Sequence, residues 1–104
     1  MVSAMTTYGN LVFTLDNPTN AIRRVACHAL TRYIERHDPN ACLGDLFDVA
    51  RRAEFVCDEK GTAQEFWRTP DGIVLVVLNG LVKTVLPKGT VVDSYRRKVT
   101  SRAR

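Results

Sequence analysis

The chain holds only two histidines among its 104 residues, and one of them has neighbours that suggest chemistry. Read as part of a helix over about residues 18–36, His28 lies about 140° from the apolar stripe of Ile22, Ala26, Ala29, Leu30 and Tyr33, at 100° per residue. Arg24 and Arg32 stand four residues to either side and fall within about 40° of it. Glu35 lies on the same line, and Arg36 is near its edge. An imidazole changes charge near neutral pH and is the usual general acid or base. Guanidinium groups hold phosphate through paired N–H donors and stabilise the charge that builds on a pentacoordinate phosphorus. Cleavage of RNA by its own 2′-hydroxyl needs those parts and no metal. The same spacing also fits a solvated helix face carrying one incidental histidine. His37 falls on a different part of the wheel and reads as a cap of the helix C-terminus.

Other chemistries find little support. There is no Cys-x-x-Cys or His-x-x-x-His pair, and Cys27 and His28, being adjacent, point about 100° apart on a helix, so neither a metal site nor a Cys–His nucleophile is expected. No glycine-rich phosphate loop is present, and no carboxylate pair suggests a glycosidase. No metal and no cofactor are therefore expected. Thr84 sits in the strand-like LVKTVL, where a threonine is an ordinary β former. It or Lys83, its neighbour on the opposite face of a regular strand, could reach a phosphate lying under the His28 helix. Phe66 and Trp67 also face opposite ways: one belongs to the core and the other is free to stack on a base.

Several elements would have to position these residues. NLVFTL (10–15) reads as a short strand. Asn17-Pro18 then signals a helix start, with Asn17 as cap and Pro18 in the first turn. Asp38-Pro39 repeats the signal and opens a second helix through about Ala53, with Cys42, Leu46, Val49 and Ala50 buried and Leu43 and Phe47 flanking them. The rest reads as β: Glu54–Asp58, Thr62–Arg68, Ile73–Leu78 and Leu81–Leu86, with Val91–Tyr95 a candidate last strand. Thr69-Pro70-Asp71-Gly72 is a turn signal, and Asn79-Gly80 is the favoured type I′ hairpin pair. IVLVVL does not alternate and should lie centrally, covered on both faces. The expected fold is α+β: two N-terminal helices packed on one face of a four- to five-stranded antiparallel sheet. Residues 1–95 form one domain with a loose start over 1–8, followed by a basic tail, 96–104.

The totals suit a single domain, and no apolar run approaches the roughly 18 residues of a membrane span. No signal peptide is read at the start. Cys27, Cys42 and Cys57 are odd in number and widely spaced, which favours free thiols and a cytoplasmic setting. The formal charge of +4 is uneven: residues 95–104 hold five Lys/Arg and no acid, whereas the other 94 hold ten basic and eleven acidic side chains. Arg96, Arg97 and Lys98 lead a tail that suits RNA or another polyanion; a solvated C-terminus has the same composition.

The segment HALTRYIERH (28–37) resembles the helix signature, roughly His-Ala-x-x-Arg-x-x-x-Arg, of small bacterial and phage domains. DGIVLVVLNGLVKTVLPKG (71–89) resembles their closing hairpin. These domains are similar to the barnase–EndoU–colicin–RelE superfold of metal-independent toxin ribonucleases. The resemblance covers about residues 20–90. It implies His28 as acid/base, Arg32 as phosphate ligand, Thr84 as a strand residue positioning phosphate and Arg36 as a second cation, with Arg24 and Lys83 beside them. Leu86 stands where the family often has an aromatic residue, and no second catalytic histidine is evident. The function expected is a metal-independent endoribonuclease of toxin type. The alternative is a non-catalytic phage or mobile-element protein that binds a host protein or nucleic acid. The partner expected is RNA or another polyanion rather than a membrane; a cognate inhibitor, a host protein and self-association stay open.

Overall fold

The computed structural model describes residues 11–59 and 61–92. Within these residues six strands and two helices follow in the order β1 (Val12–Thr14), β2 (Arg24–Ala26), α1 (Cys27–Arg36), α2 (Leu43–Arg52), β3 (Glu54–Asp58), β4 (Gln64–Arg68), β5 (Val74–Leu78) and β6 (Leu81–Val85). They form one mixed sheet in the order β1-β2-β6-β5-β4-β3. All neighbours are antiparallel except β2 and β6, which run parallel with Arg24 opposite Leu81 and Val25 opposite Val82. This corrects the expected two N-terminal helices on a four- to five-stranded antiparallel sheet. Two strands precede the helices, and the sheet is six-stranded and mixed. The last expected strand does not begin at Val91 or Val92, and its remainder lies outside the described residues.

The correction has a local cause. Asn17 does not cap a helix: its φ is 52°, a left-handed conformation rather than the extended one of an N-cap. The stretch after it instead seals the end of a helix distant in sequence. The Asn20 side-chain amide donates to the carbonyls of Ala50 (3.0 Å) and Ala53 (3.1 Å), and its oxygen accepts from the Ile22 N–H (2.8 Å). Thr19 Oγ1 donates to the Arg51 carbonyl at 3.0 Å. Arg51 returns the contact, donating to the Asp16 carboxylate (2.7 Å) and to the Asp16 and Asn17 carbonyls (2.8 and 3.2 Å). The Asn20 and Thr19 bonds satisfy carbonyls at the C-terminal end of the helix, which a helix leaves open. Residues 24–26 are then free to pair as a strand, and α1 begins directly at Cys27.

The second helix also starts later than Asp38-Pro39 suggested. Asp38 Oδ1 accepts the Asn40 N–H (3.0 Å), a local turn. The cap is Cys42, whose N–H donates to Asp45 Oδ2 at 2.9 Å in a capping box.

Both helices contribute to one core. Ala29 and Tyr33 of α1 and Leu46, Val49 and Ala50 of α2 join Ile22, Val25, Trp67, Leu75, Val77, Val82 and Val85 in a single buried cluster. Cross-strand partners share a face, so the registers place Trp67–Leu75–Val85 and Val77–Val82–Val25 on the helix-bearing face. As expected, β5 is central and buried along both faces, from Val74 to Val77. Asn79 and Gly80 both have positive φ (52° and 80°) and turn β5 into β6. The Gly80 carbonyl accepts the N–H groups of Arg23 (2.8 Å) and Arg24 (3.1 Å), which docks β2 onto the hairpin. Cys27, Cys42 and Cys57 are free; Cys42 is exposed and the other two are buried. Neither described helix is long and apolar enough to cross a membrane.

Candidate functional site

The residues singled out in the sequence divide between two layers. His28 is exposed in the first turn of α1. Arg32, one turn on, is held by Glu35 at 2.7 Å. Arg36 turns inward at the other end of the helix and donates to the Val85 carbonyl at 2.8 Å. Arg24 does not share that helix: it lies in β2, and the Arg24–His28–Arg32 line is broken at Cys27.

Thr84 lies on the other side of the sheet. It pairs in register with Val76, while Val82 and Val85 on either side of it face the helices. The sheet therefore separates His28 and Arg32 from Thr84, and these three are not brought to one cleft.

A different grouping takes shape on the face away from the helices. Arg24 pairs with Leu81, Leu81 with Leu78, and Leu78 with Gln64, all on that face. The β5–β6 register jumps from Val76–Thr84 to Val77–Val82 and skips Lys83. Such a bulge breaks alternation, so Lys83 does not face opposite to Thr84 as a regular strand requires. Its Nζ reaches toward Gln64 Oε1 at 3.5 Å. Arg24, Lys83 and Thr84 thus share one face, with Phe66 farther along it, half-buried and in register with Val76. Trp67, on the opposite face, is in the core, and its indole N–H donates to Glu65 Oε1 at 2.8 Å.

The charge of this face is lopsided. The described strands direct Arg24, Lys83 and Arg68 to it against a single carboxylate, Glu54, which stands opposite Arg68 on the edge strand. Asp58 and Glu65 pair with each other and follow Val77 to the helix face. Lys83 is exposed, and Arg24 and Thr84 are half-buried. Among the described residues the Arg24 guanidinium makes one long contact, 3.5 Å, to the Asn79 carbonyl, and no ion pair. Arg96, Arg97 and Lys98 lie outside the described residues.

Sequence reasoning missed a cleft elsewhere on the molecule. At the end of the sheet where α1 stops, a cleft of about 640 Å³ is lined by Tyr33, His37, Asp38, Arg68, Asp71, Ile73 and Lys88, among others. The Tyr33 and His37 rings stack with centroids 5.9 Å apart. His37 Nε2 is 2.9 Å from the Leu86 carbonyl; a carbonyl only accepts, so the proton is on Nε2 and Nδ1 is left for another partner. Asp71 is tied to Arg52 at 3.2 Å, and Arg68 donates to the Val92 carbonyl at 2.9 Å. Burial, and then the carboxylates of Asp38, Asp45 and Asp71, push the Tyr33 phenol above its ordinary pKa of 10.0, with Arg52 opposing. The cleft draws on three separate stretches of chain, 33–38, 68–73 and 88–91, so no local motif announces it. The one available signal was that His37-Asp38 and Lys88 both fall where elements end against proline-marked turns. Among the described residues, no group of three His, Cys, Asp or Glu side chains is arranged to hold a metal.

No family model, curated protein or solved structure matches this chain.

Proposed function

We propose that this protein is a nucleic-acid-binding domain that takes single-stranded RNA on the sheet face of Arg24, Lys83 and Thr84. The observation that carries the reading is the charge of that face: among the described residues of its strands, three cations on β2, β6 and β4 stand against one carboxylate at the far edge. At about 4.8 Å per strand, the three cation-bearing strands span about 15 Å, enough to follow several units of a polyanion. Single-stranded nucleic acid binds to such surfaces through phosphate contacts and through bases laid on apolar or aromatic side chains. Leu78, Leu81 and Phe66, all half-buried on the same face, supply the second part. The basic tail adds charge of the same sign.

The ribonuclease expectation rests on the resemblance of residues 28–37 and 71–89 to the barnase–EndoU–colicin–RelE superfold, and RNA is the ligand under either reading. Binding is favoured because the sheet stands between His28 and Thr84. The test is to incubate labelled single-stranded RNA with the protein, in EDTA, and to follow both retention and integrity. Retained, intact RNA is expected. Cleavage that disappears in His28→Ala would overturn the binding reading in favour of catalysis.

A further inference from the structure

The cleft at the end of α1 shares only Arg68 with the sheet-face reading, and its chemistry is more varied than an RNA backbone requires. Its volume, about 640 Å³, falls within the range of small-molecule sites. Tyr33 retains only 7% of its surface, yet its hydroxyl has no hydrogen-bond partner among the described residues. A tyrosine O–H that leaves water ordinarily finds a partner, and Tyr33 lines the cleft. Because burial raises its pKa, it remains a phenol and keeps an O–H to donate.

Around it stand three kinds of group. Lys88, exposed and without a partner among the described residues, lines the same cleft as Arg68, which commits one nitrogen to the Val92 carbonyl. The turn that carries Lys88 is closed by the Thr90 N–H to the Pro87 carbonyl at 3.1 Å. Gly89, at φ 89°, leaves that side of the turn without a side chain. Two cations beside a bare turn suit a phosphate. Asp38 uses one oxygen on the Asn40 N–H and keeps the acceptor capacity of its other oxygen, which suits hydroxyl donors such as those of a ribose. The His37 ring and Ile73 offer flat or apolar surface against which a base can lie.

We propose that this cleft is a second binding site, specific for a ribonucleoside monophosphate: phosphate on Lys88 and Arg68, ribose hydroxyls on Asp38, and the base against His37 and Ile73. The cleft shares Arg68 with the sheet face but has Lys88, Asp38, His37 and Ile73 to itself, while Arg24 and Lys83 belong to the sheet face alone, so variants at those residues test each site separately.

Isothermal titration calorimetry of the full chain with AMP is the direct test, with dAMP, adenosine and inorganic phosphate as the comparison probes. AMP should bind saturably, and each of the other three should bind at least about tenfold more weakly, the scale of one charge-assisted hydrogen bond. Lys88→Glu should lose AMP binding. It lies in an exposed turn, so its circular dichroism should match wild type. Asp38→Asn should bring AMP and dAMP close together, because the discrimination between them is assigned to that carboxylate. Arg24→Gln with Lys83→Gln should leave AMP affinity unchanged. The proposal is overturned if AMP fails to bind, if phosphate alone binds as tightly as AMP, or if folded Lys88→Glu binds AMP as wild type does.

Discussion

Asn20→Ala removes a single half-buried side chain, and the structure sets the size of the loss. Two amide hydrogens leave the Ala50 and Ala53 carbonyls, at 3.0 and 3.1 Å, and one oxygen leaves the Ile22 N–H, at 2.8 Å. Ala50 and Ile22 are fully buried and Ala53 nearly so, so water replaces these bonds only in part. At about 1 kcal/mol net per bond, the loss is about 3 kcal/mol, falling to about 2 where water enters. That is a large share of the roughly 5–15 kcal/mol that stabilises a domain. With a urea slope of about 1–3 kcal/mol per molar, the midpoint should fall by about 0.7–3 M, read by far-ultraviolet circular dichroism at equilibrium. Asn20→Asp keeps the acceptor for Ile22 but turns a carboxylate toward two carbonyls, and should be no more stable than Asn20→Ala. Pro18→Ala, by contrast, should stay within about 0.5 kcal/mol, because Pro18 is exposed and starts no helix. A midpoint for Asn20→Ala within about 0.2 M of wild type, or a large loss for Pro18→Ala, would refute the idea that residues 15–23 serve to seal α2.

Three further outcomes follow from the same geometry. Gly80→Ala should cost about 1–3 kcal/mol by thermal or urea unfolding, since φ is 80° and a Cβ would meet the Ala21 carbonyl at 3.1 Å; a neutral result would mean that β2 is not held to this hairpin. Arg51→Lys should lose about 1–2 kcal/mol, because an ammonium cannot join Asp16, Asn17 and Asp48 as the guanidinium does; an unchanged midpoint would contradict that role. The Tyr33 phenol ionises above its ordinary 10.0 in the folded protein. The folded state therefore holds its proton longer than the unfolded state, and this contribution to stability is whole below pH 10 and lost as pH rises through the folded value. Tyr33→Phe should remove a phenolate absorbance step above pH 10 and flatten the fall in stability there, and a steeper fall in the variant would contradict the assigned direction.

The sequence made β3 to β6 legible because each strand there is bounded by turn chemistry. Glu54–Asp58 forms as expected, Asn79-Gly80 adopts the two positive φ values its type demands, and a run of apolar residues without alternation marks the strand buried on both faces. The first third was misread for a physical reason. Ile22, Ala26, Ala29, Leu30 and Tyr33 do recur at helical spacing, but Arg24–Ala26 is a three-residue strand, too short to show a period of its own. What selects strand there lies far away, in the Gly80 carbonyl and in α2's terminal carbonyls, which recruit Asn20. The candidate sites show the same division. Arg24, Lys83 and Thr84 were recognised as phosphate-binding types, but their common face depends on a bulge at Lys83 that no residue type announces. His28 remained exposed as expected, yet its distance from Thr84 is a matter of topology. The cleft was invisible because Tyr33, Asp38, Arg68 and Lys88 converge only after folding.

The claim that RNA lies on the sheet face is tested most directly by the salt dependence of binding. Fluorescence anisotropy with a labelled single-stranded RNA, measured across a salt series, gives a slope of log affinity against log salt that counts neutralised phosphates, at about 0.7 per contact for single strands. Arg24→Gln together with Lys83→Gln should weaken binding and reduce the slope by about 1.4, while Glu54→Lys on the same face should leave binding as strong or stronger. An unchanged slope in the double variant, or RNA binding that Glu54→Lys weakens, would contradict it.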